Sequence, residues 1–188
     1  DGGIGRRARL KLVFLWSAGS IPALGTMILR MKKQEKYDRA YLRMAAEWAR
    51  LSTCDRRQVG ALIVKNQTII SDGYNGTPSG FDNACEDDDG STKWYVLHAE
   101  ANAIKYSREH GLELKGSTAY VTLEPCSYVG RTPSCAHALI EHGISRVVYA
   151  TTDPHPGNRG KGLDKLRAAG IEVIGPVMEP AAIALNKG

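Results

Sequence analysis

Several features are scarce in this chain, and each scarcity closes off a class of protein. Aromatic residues make up only 7% of the 188 positions, while hydrophobic residues reach 43%. That is enough chain for one ordinary domain with a real core, and too little for two comfortable ones, a solenoid array or a large multidomain enzyme. No Gly/Pro-rich tract and no long block of like charge dominates, which excludes collagen-like, mucin-like and wholly disordered chains.

A long apolar run is also missing. Residues 12–29 carry no charge behind an Arg/Lys cluster, the outline of a signal peptide or a short membrane span. High apolar density is confined to LVFLW, and the rest of the uncharged run is interrupted by Ser17, Gly19, Ser20, Pro22, Gly25 and Thr26. No membrane partner is therefore expected. Residues 1–30 read as a leader, disordered or non-native, ahead of a domain over 31–188.

A basic stripe is absent as well. Of 25 basic and 20 acidic residues, five basic and one acidic lie in 1–30, which leaves 20 against 19 in the body. Phosphate contacts supply most non-specific affinity for nucleic acid, so no nucleic-acid partner is expected. Cysteine is sparse too. Cys54, Cys85, Cys126 and Cys135 would allow two disulfides, but a chain with a full core does not need such staples, and the expectation is reduced thiols in a cytoplasmic protein.

What is present is a regular alternation of elements. A helix is expected over 37–51, with Tyr41, Leu42, Ala45, Trp48 and Ala49 on one face. Two β-branched runs, 59–64 and 68–74, flank the turn Lys65-Asn66-Gln67 and read as a hairpin. A long polar stretch covers 75–93, and long ordered loops tend to be functional. Helix 98–111, strand 117–123, a helix opening near Pro133, strand 146–152, helix 162–170, strand 171–175 and a short last helix complete the order. Helical crossovers make strands three to five parallel, beside an antiparallel hairpin. The expected fold is a three-layer α/β/α arrangement, with helices on both faces of a mixed five-stranded sheet.

Chemistry gathers at four residues. His98 and Glu100 open one helix, Cys126 comes after a strand and Pro125, and Cys135 lies nine positions later at the start of another helix. One imidazole and two thiolates fill three tetrahedral positions of Zn²⁺ and leave the fourth for water. Helix N-termini favour the anionic thiolates. A carboxylate two residues beyond the histidine is placed to move protons without ligating. One catalytic Zn²⁺ is therefore expected on His98, Cys126 and Cys135, with Glu100 as the catalytic acid/base.

With these motifs the chain resembles the cytidine and deoxycytidylate deaminase superfamily over essentially all of 37–188, and the resemblance is split. STCDRRQVGALIV, SDGYNGTPSGFDNACED and VLHAEANAI look like deoxycytidylate (dCMP) deaminase. From about Leu114, GSTAYVTLEPCSYVGRTPSC and RVVYATTDPHPGNRGKGLDKLRAAGIEV look like the deaminase domain of bifunctional riboflavin-biosynthesis proteins, without a counterpart of the reductase domain that usually accompanies it. The eight residues between Cys126 and Cys135 are the spacing of the riboflavin enzymes. Conversely, Asp55-Arg56-Arg57 replaces the Pro-Asn-Pro those enzymes usually carry before Val-Gly.

The resemblance implies a cytidine-deaminase-like fold, a homo-oligomer, and a zinc-dependent hydrolase acting on an aminopyrimidine nucleotide. It implies Arg56 facing the pyrimidine and Asn75 bonding sugar or base, although Asn75-Gly76 is also an ordinary turn. The leading substrate expectation is dCMP, converted to dUMP. The alternatives are the diaminohydroxyphosphoribosylaminopyrimidine of riboflavin biosynthesis, or a non-catalytic zinc-binding module. Some dCMP deaminases hold a second, structural zinc near Cys54 and Cys85. No two further convincing His or carboxylate ligands stand beside Cys85, so none is expected here, and buried or free thiols are the reading. His110, His137, His142 and His155 lack mutual ligand spacing and read as surface or satisfied polar groups, with a supporting role open to His137 and His142. Asp87-Asp88-Asp89 reads as a solvated acidic turn.

Overall fold

A computed structural model of the chain describes residues 20–128 and 133–185, and it divides into two compact units, 1–35 and 36–188. The first helix, α1, runs Ser20–Ala49, so helix begins well before the expected 37. Pro22 falls in its first turn, where a missing N–H costs nothing, and the Leu, Met, Lys, Gln and Glu residues beyond Gly25 are good helix formers. Within the N-terminal unit the described residues are therefore helical. The leader expectation for 1–19 lies outside the described residues. Among the described residues, no helix is long and apolar enough to cross a membrane.

In the second unit, β1 (Gly60–Lys65) and β2 (Thr68–Tyr74) form the expected hairpin, with Lys65 opposite Thr68. Asn66 and Gln67 both take positive φ, 51° and 62°, which suits a two-residue turn matched to strand twist. Next come α2 (Ala99–Glu109), β3 (Thr118–Leu123), α3 (Cys135–Glu141), β4 (Arg146–Thr151), α4 (Lys161–Ala168), β5 (Glu172–Ile174) and α5 (Glu179–Leu185). The sheet order is β2-β1-β3-β4-β5. The β1 pairings with β2 and β3 are antiparallel, and β3-β4 and β4-β5 are parallel.

Period-two alternation sends side chains to two cores. Ala61, Ile63, Ala119, Val121, Val147 and Tyr149 meet α2, α3 and α4, whereas Leu62, Val64, Tyr120, Val148 and Ala150 meet α1 and α5. This is the expected three-layer α/β/α fold. Inside the second layer pair, Asp38 is buried and accepts from both Arg146 Nη atoms, at 2.8 and 2.7 Å, and from Tyr120 Oη at 2.9 Å. The apolar interior thus carries an ion pair whose carboxylate is hydrogen-bonded on both oxygens.

Candidate active site

The parallel strands β3 and β4 end on the same side of the sheet, and their exits carry the residues of interest: Glu124 to Ser127 after β3, and Asp153 to Asn158 after β4. Helix α2 presents its N-terminus to the same place. Its approach depends on Gly73 of β2, where a Cβ would overlap the Ala99 carbonyl, so helix and strand backbones meet directly. His98 is the N-cap of α2, with extended φ/ψ of −75° and 156°, and its side chain makes no capping bond. The ring is therefore available for other work. Glu100, in the first helical turn, is buried to 4% exposure.

His98, Cys126 and Cys135 converge, their ligand atoms all lying within 4.8 Å of one another. His98 Nδ1 is 3.2 Å from Cys135 Sγ and 3.6 Å from Cys126 Sγ. A tetrahedral ion with Zn–N and Zn–S bonds of about 2.0–2.3 Å separates such atoms by about 3.6 Å, so this donor set fits zinc. The Cys135 amide donates to Cys126 Sγ at 3.2 Å, and the Ala136 amide to the Cys126 carbonyl at 3.1 Å, which seats the start of α3 against the Cys126 loop.

The three groups titrate together, and the depressed Cys126 thiol is the one that suits a cation. Hydrogen bonding from Cys135, together with His98, draws the Cys126 thiol well below its ordinary range, and the Cys126 sulfur in turn pushes Cys135 up. The hydrogen bond to Cys126 raises His98 to about 9 despite burial. Burial raises Glu100 to about 6, against the opposing pull of His98.

A cavity of about 540 Å³ opens onto this cluster, and Arg56, Arg57, Asn75, Asp153, His155 and Asn158 are among its lining residues. The expected substrate residues both reach it, but both are engaged. Arg56 Nη1 donates to the Gly90 carbonyl at 2.7 Å. Asn75 accepts from the Val59 amide at 2.7 Å and donates to the Arg57 carbonyl at 2.8 Å. It is Arg57 that reaches the opposite wall, 3.1 Å from buried Asp153. His155 is exposed, as read from sequence, and also lines the cavity.

Cys54 and Cys85 correct the expectation of reduced thiols. They are buried, as expected, but joined as a disulfide. The polar 75–93 stretch folds back over the segment before β1, where Glu86 accepts from the Asp55 and Arg56 amides, and this return brings the two cysteines together.

Comparison with known proteins agrees with the geometry. Residues 35–151 match the family described as cytidine and deoxycytidylate deaminase zinc-binding region. The chain is 39% identical over 158 residues to riboflavin biosynthesis protein RibD of Escherichia coli K12, covering 82% of this chain but only 37% of that protein. It is 36% identical over 154 residues to the diaminohydroxyphosphoribosylamino-pyrimidine deaminase of Buchnera aphidicola subsp. Schizaphis graminum, covering 80% of this chain and 92% of that one. Among solved structures, the dCMP deaminase of cyanophage S-TIM5 in complex with dCMP and dUMP superposes with a TM-score of 0.65 at 37% identity, over 72% of this chain and 93% of that one. A deaminase/reductase from Thermotoga maritima gives 0.68 at 35%, over 81% of this chain and 40% of that one. With the family model matching 35–151 and a zinc-competent His/Cys/Cys cluster at the head of a cavity, the chain belongs to the cytidine and deoxycytidylate deaminase family.

Proposed function

We propose that this chain deaminates diaminohydroxyphosphoribosylaminopyrimidine, the substrate named for its Buchnera relative, with dCMP as the second reading. This reverses the order expected from sequence. The observation that carries it is the match to a protein named for that single activity, along 92% of that protein's length. The site adds support: Arg56 and Asn75, the two residues that the dCMP resemblance assigns to recognition, already hold backbone groups, while the 153–158 segment walls the cavity. The dCMP reading keeps one specific support, the cyanophage structure with its dCMP and dUMP. The proposal also keeps the expectations of a small-molecule nucleotide substrate, a homo-oligomer and a cytoplasmic location, the last without the support of reduced thiols, since Cys54 and Cys85 are joined.

His98, Cys126 and Cys135 would hold the zinc, which when bound supplies a water ionised near neutral pH. Glu100 would take a proton from the attacking water and deliver it to the ring nitrogen adjacent to the carbon bearing the amine. A second proton passes through Glu100 to the exocyclic amine, the C–N bond breaks, and ammonia leaves a carbonyl behind. Burial of Glu100 suits this shuttle, because it pushes the carboxyl upward, the direction a proton carrier near neutrality needs. Buried Leu123 and Ala99 supply apolar wall to the cavity beside Glu100.

The test is ammonia release by the zinc-loaded full chain on four substrates: the riboflavin intermediate, dCMP, deoxycytidine and single-stranded DNA. The expected order places the riboflavin intermediate first in kcat/KM, with the nucleoside and DNA both poor. A higher kcat/KM on dCMP would overturn the choice of substrate.

A further inference from the structure

We propose that Glu124 is a positioning residue for substrate, holding the 153–162 segment in place as one wall of the cavity; this rests on that cavity being the substrate site of the deaminase. Glu124 is buried to 3% exposure, directly before Pro125 and Cys126, and both carboxylate oxygens are in use. Oε2 accepts from the Asp153 amide at 3.2 Å and the Gly160 amide at 3.0 Å, and Oε1 accepts from the Gly162 amide at 3.3 Å. All three donors belong to one segment, 29 to 38 residues further along the chain.

The segment needs such an anchor. Gly160 caps α4 in a left-handed conformation, φ 80°, and has no side chain with which to bond the first-turn amides. Glu124 supplies from the end of β3 what an Asp or Ser at that position would supply locally. Two residues on, Gly162 lies so close that a Cβ would overlap the Pro125 carbonyl. The start of α4 is thereby seated on the loop that carries Cys126.

A second clamp runs in parallel. Asn158 Oδ1 accepts from the Ser127 amide and hydroxyl, each at 2.8 Å, and its Nδ2 donates to Asp153 Oδ2 at 2.9 Å. Asp153 also accepts from the His155 amide at 2.9 Å and pairs with Arg57 across the cavity. Asp153, His155 and Asn158 line the cavity, whereas His98, Glu100, Cys126 and Cys135 all lie outside this segment. Loosening the segment should therefore weaken substrate binding while the chemistry remains competent.

The experiment uses Glu124→Gln and Asn158→Ala in the zinc-loaded full chain. It reads zinc per chain, kcat and KM on the nucleotide turned over best, and hydrogen exchange of the amides in 152–163. For Glu124→Gln the expected result is parental zinc, kcat within about threefold, KM raised about tenfold or more, and faster exchange confined to the segment. Asn158→Ala should raise KM in the same direction, and the double variant should raise it by less than the product of the two, because both side chains hold one element. Zinc loss with unchanged KM would overturn the proposal and make Glu124 a support of Cys126. Unchanged exchange in 152–163 would overturn it too, and that arm reads out even if no nucleotide on the panel is turned over, a result that would defeat the proposed function instead.

Discussion

Removing the Asp38 carboxylate should destabilise the domain severely and leave the metal site untouched. Asp38→Ala takes away the partner of both Arg146 Nη atoms and of the buried Tyr120 hydroxyl, and the Arg146 side chain is only 14% exposed. Breaking a buried pair by removing one member costs about 3–5 kcal/mol, because the remaining charge stays desolvated. Arg146 keeps Glu172 at 3.1 Å, but that carboxylate is mostly exposed and offsets little. With about 2–4 °C per kcal/mol in a domain of this size, the midpoint of thermal unfolding should fall by about 6–20 °C. Asp38→Asn, which keeps one acceptor, should fall less. The assay is a thermal melt of zinc-loaded protein, run for Asp38→Ala, Arg146→Met and the double variant. The double variant should be less destabilised than the sum of the singles, since it leaves no unpaired charge. A loss below about 1 kcal/mol for Asp38→Ala, the range of surface pairs, would refute the claim that this pair is desolvated.

Glu100→Ala should lower turnover by about 10²–10⁴-fold, the span of general acid/base catalysis, with zinc retained; steady-state rates near parental would remove it from the mechanism. Cys54→Ser should open a disulfide that closes a 31-residue separation, at a cost of about 3–4 kcal/mol, while keeping the metal. Thermal melts with and without a dithiol reductant check this, and a parental protein indifferent to reductant would contradict it. Gly162→Ala should destabilise despite the helix preference of alanine. The overlap with the Pro125 carbonyl costs about 1–3 kcal/mol against roughly 1 kcal/mol gained, and an alanine variant more stable than the parent would show that α4 does not meet that loop.

Local signals carry far in this sequence. The strands declare themselves in β-branched runs, and the hairpin forms where expected, although Lys65, read as part of the turn, pairs with Thr68 and leaves a two-residue turn, Asn66-Gln67. The convergence of His98, Cys126 and Cys135 is equally legible, since metal chemistry demands particular residue types and the secondary structure around them can be read independently. What escapes are contacts made by side chains across long separations. Asn75 looks like a polar loop residue free for substrate, yet its amide bonds the backbone on either side of Gln58. Of two adjacent arginines, only the structure reveals that Arg57 meets Asp153, 96 positions away. Glu124 stands beside the Pro-Cys motif, but its partners are backbone amides, which no residue pattern marks. Cys54 and Cys85 come together because the 75–93 stretch folds back, a path that spacing does not encode. The early start of α1 is masked by Pro22 and Gly25, which interrupt the apolar run, although the proline lies in the first turn and the glycine is tolerated in the helix.

Zinc content tests the account at its centre. Elemental analysis of the purified protein, after dialysis against excess zinc and then metal-free buffer, should give one zinc per chain for the parent and for Glu100→Ala, and a marked loss for Cys135→Ala. Parental stoichiometry in Cys135→Ala, or a parent that holds no zinc, would contradict the assignment of His98, Cys126 and Cys135 as the metal site.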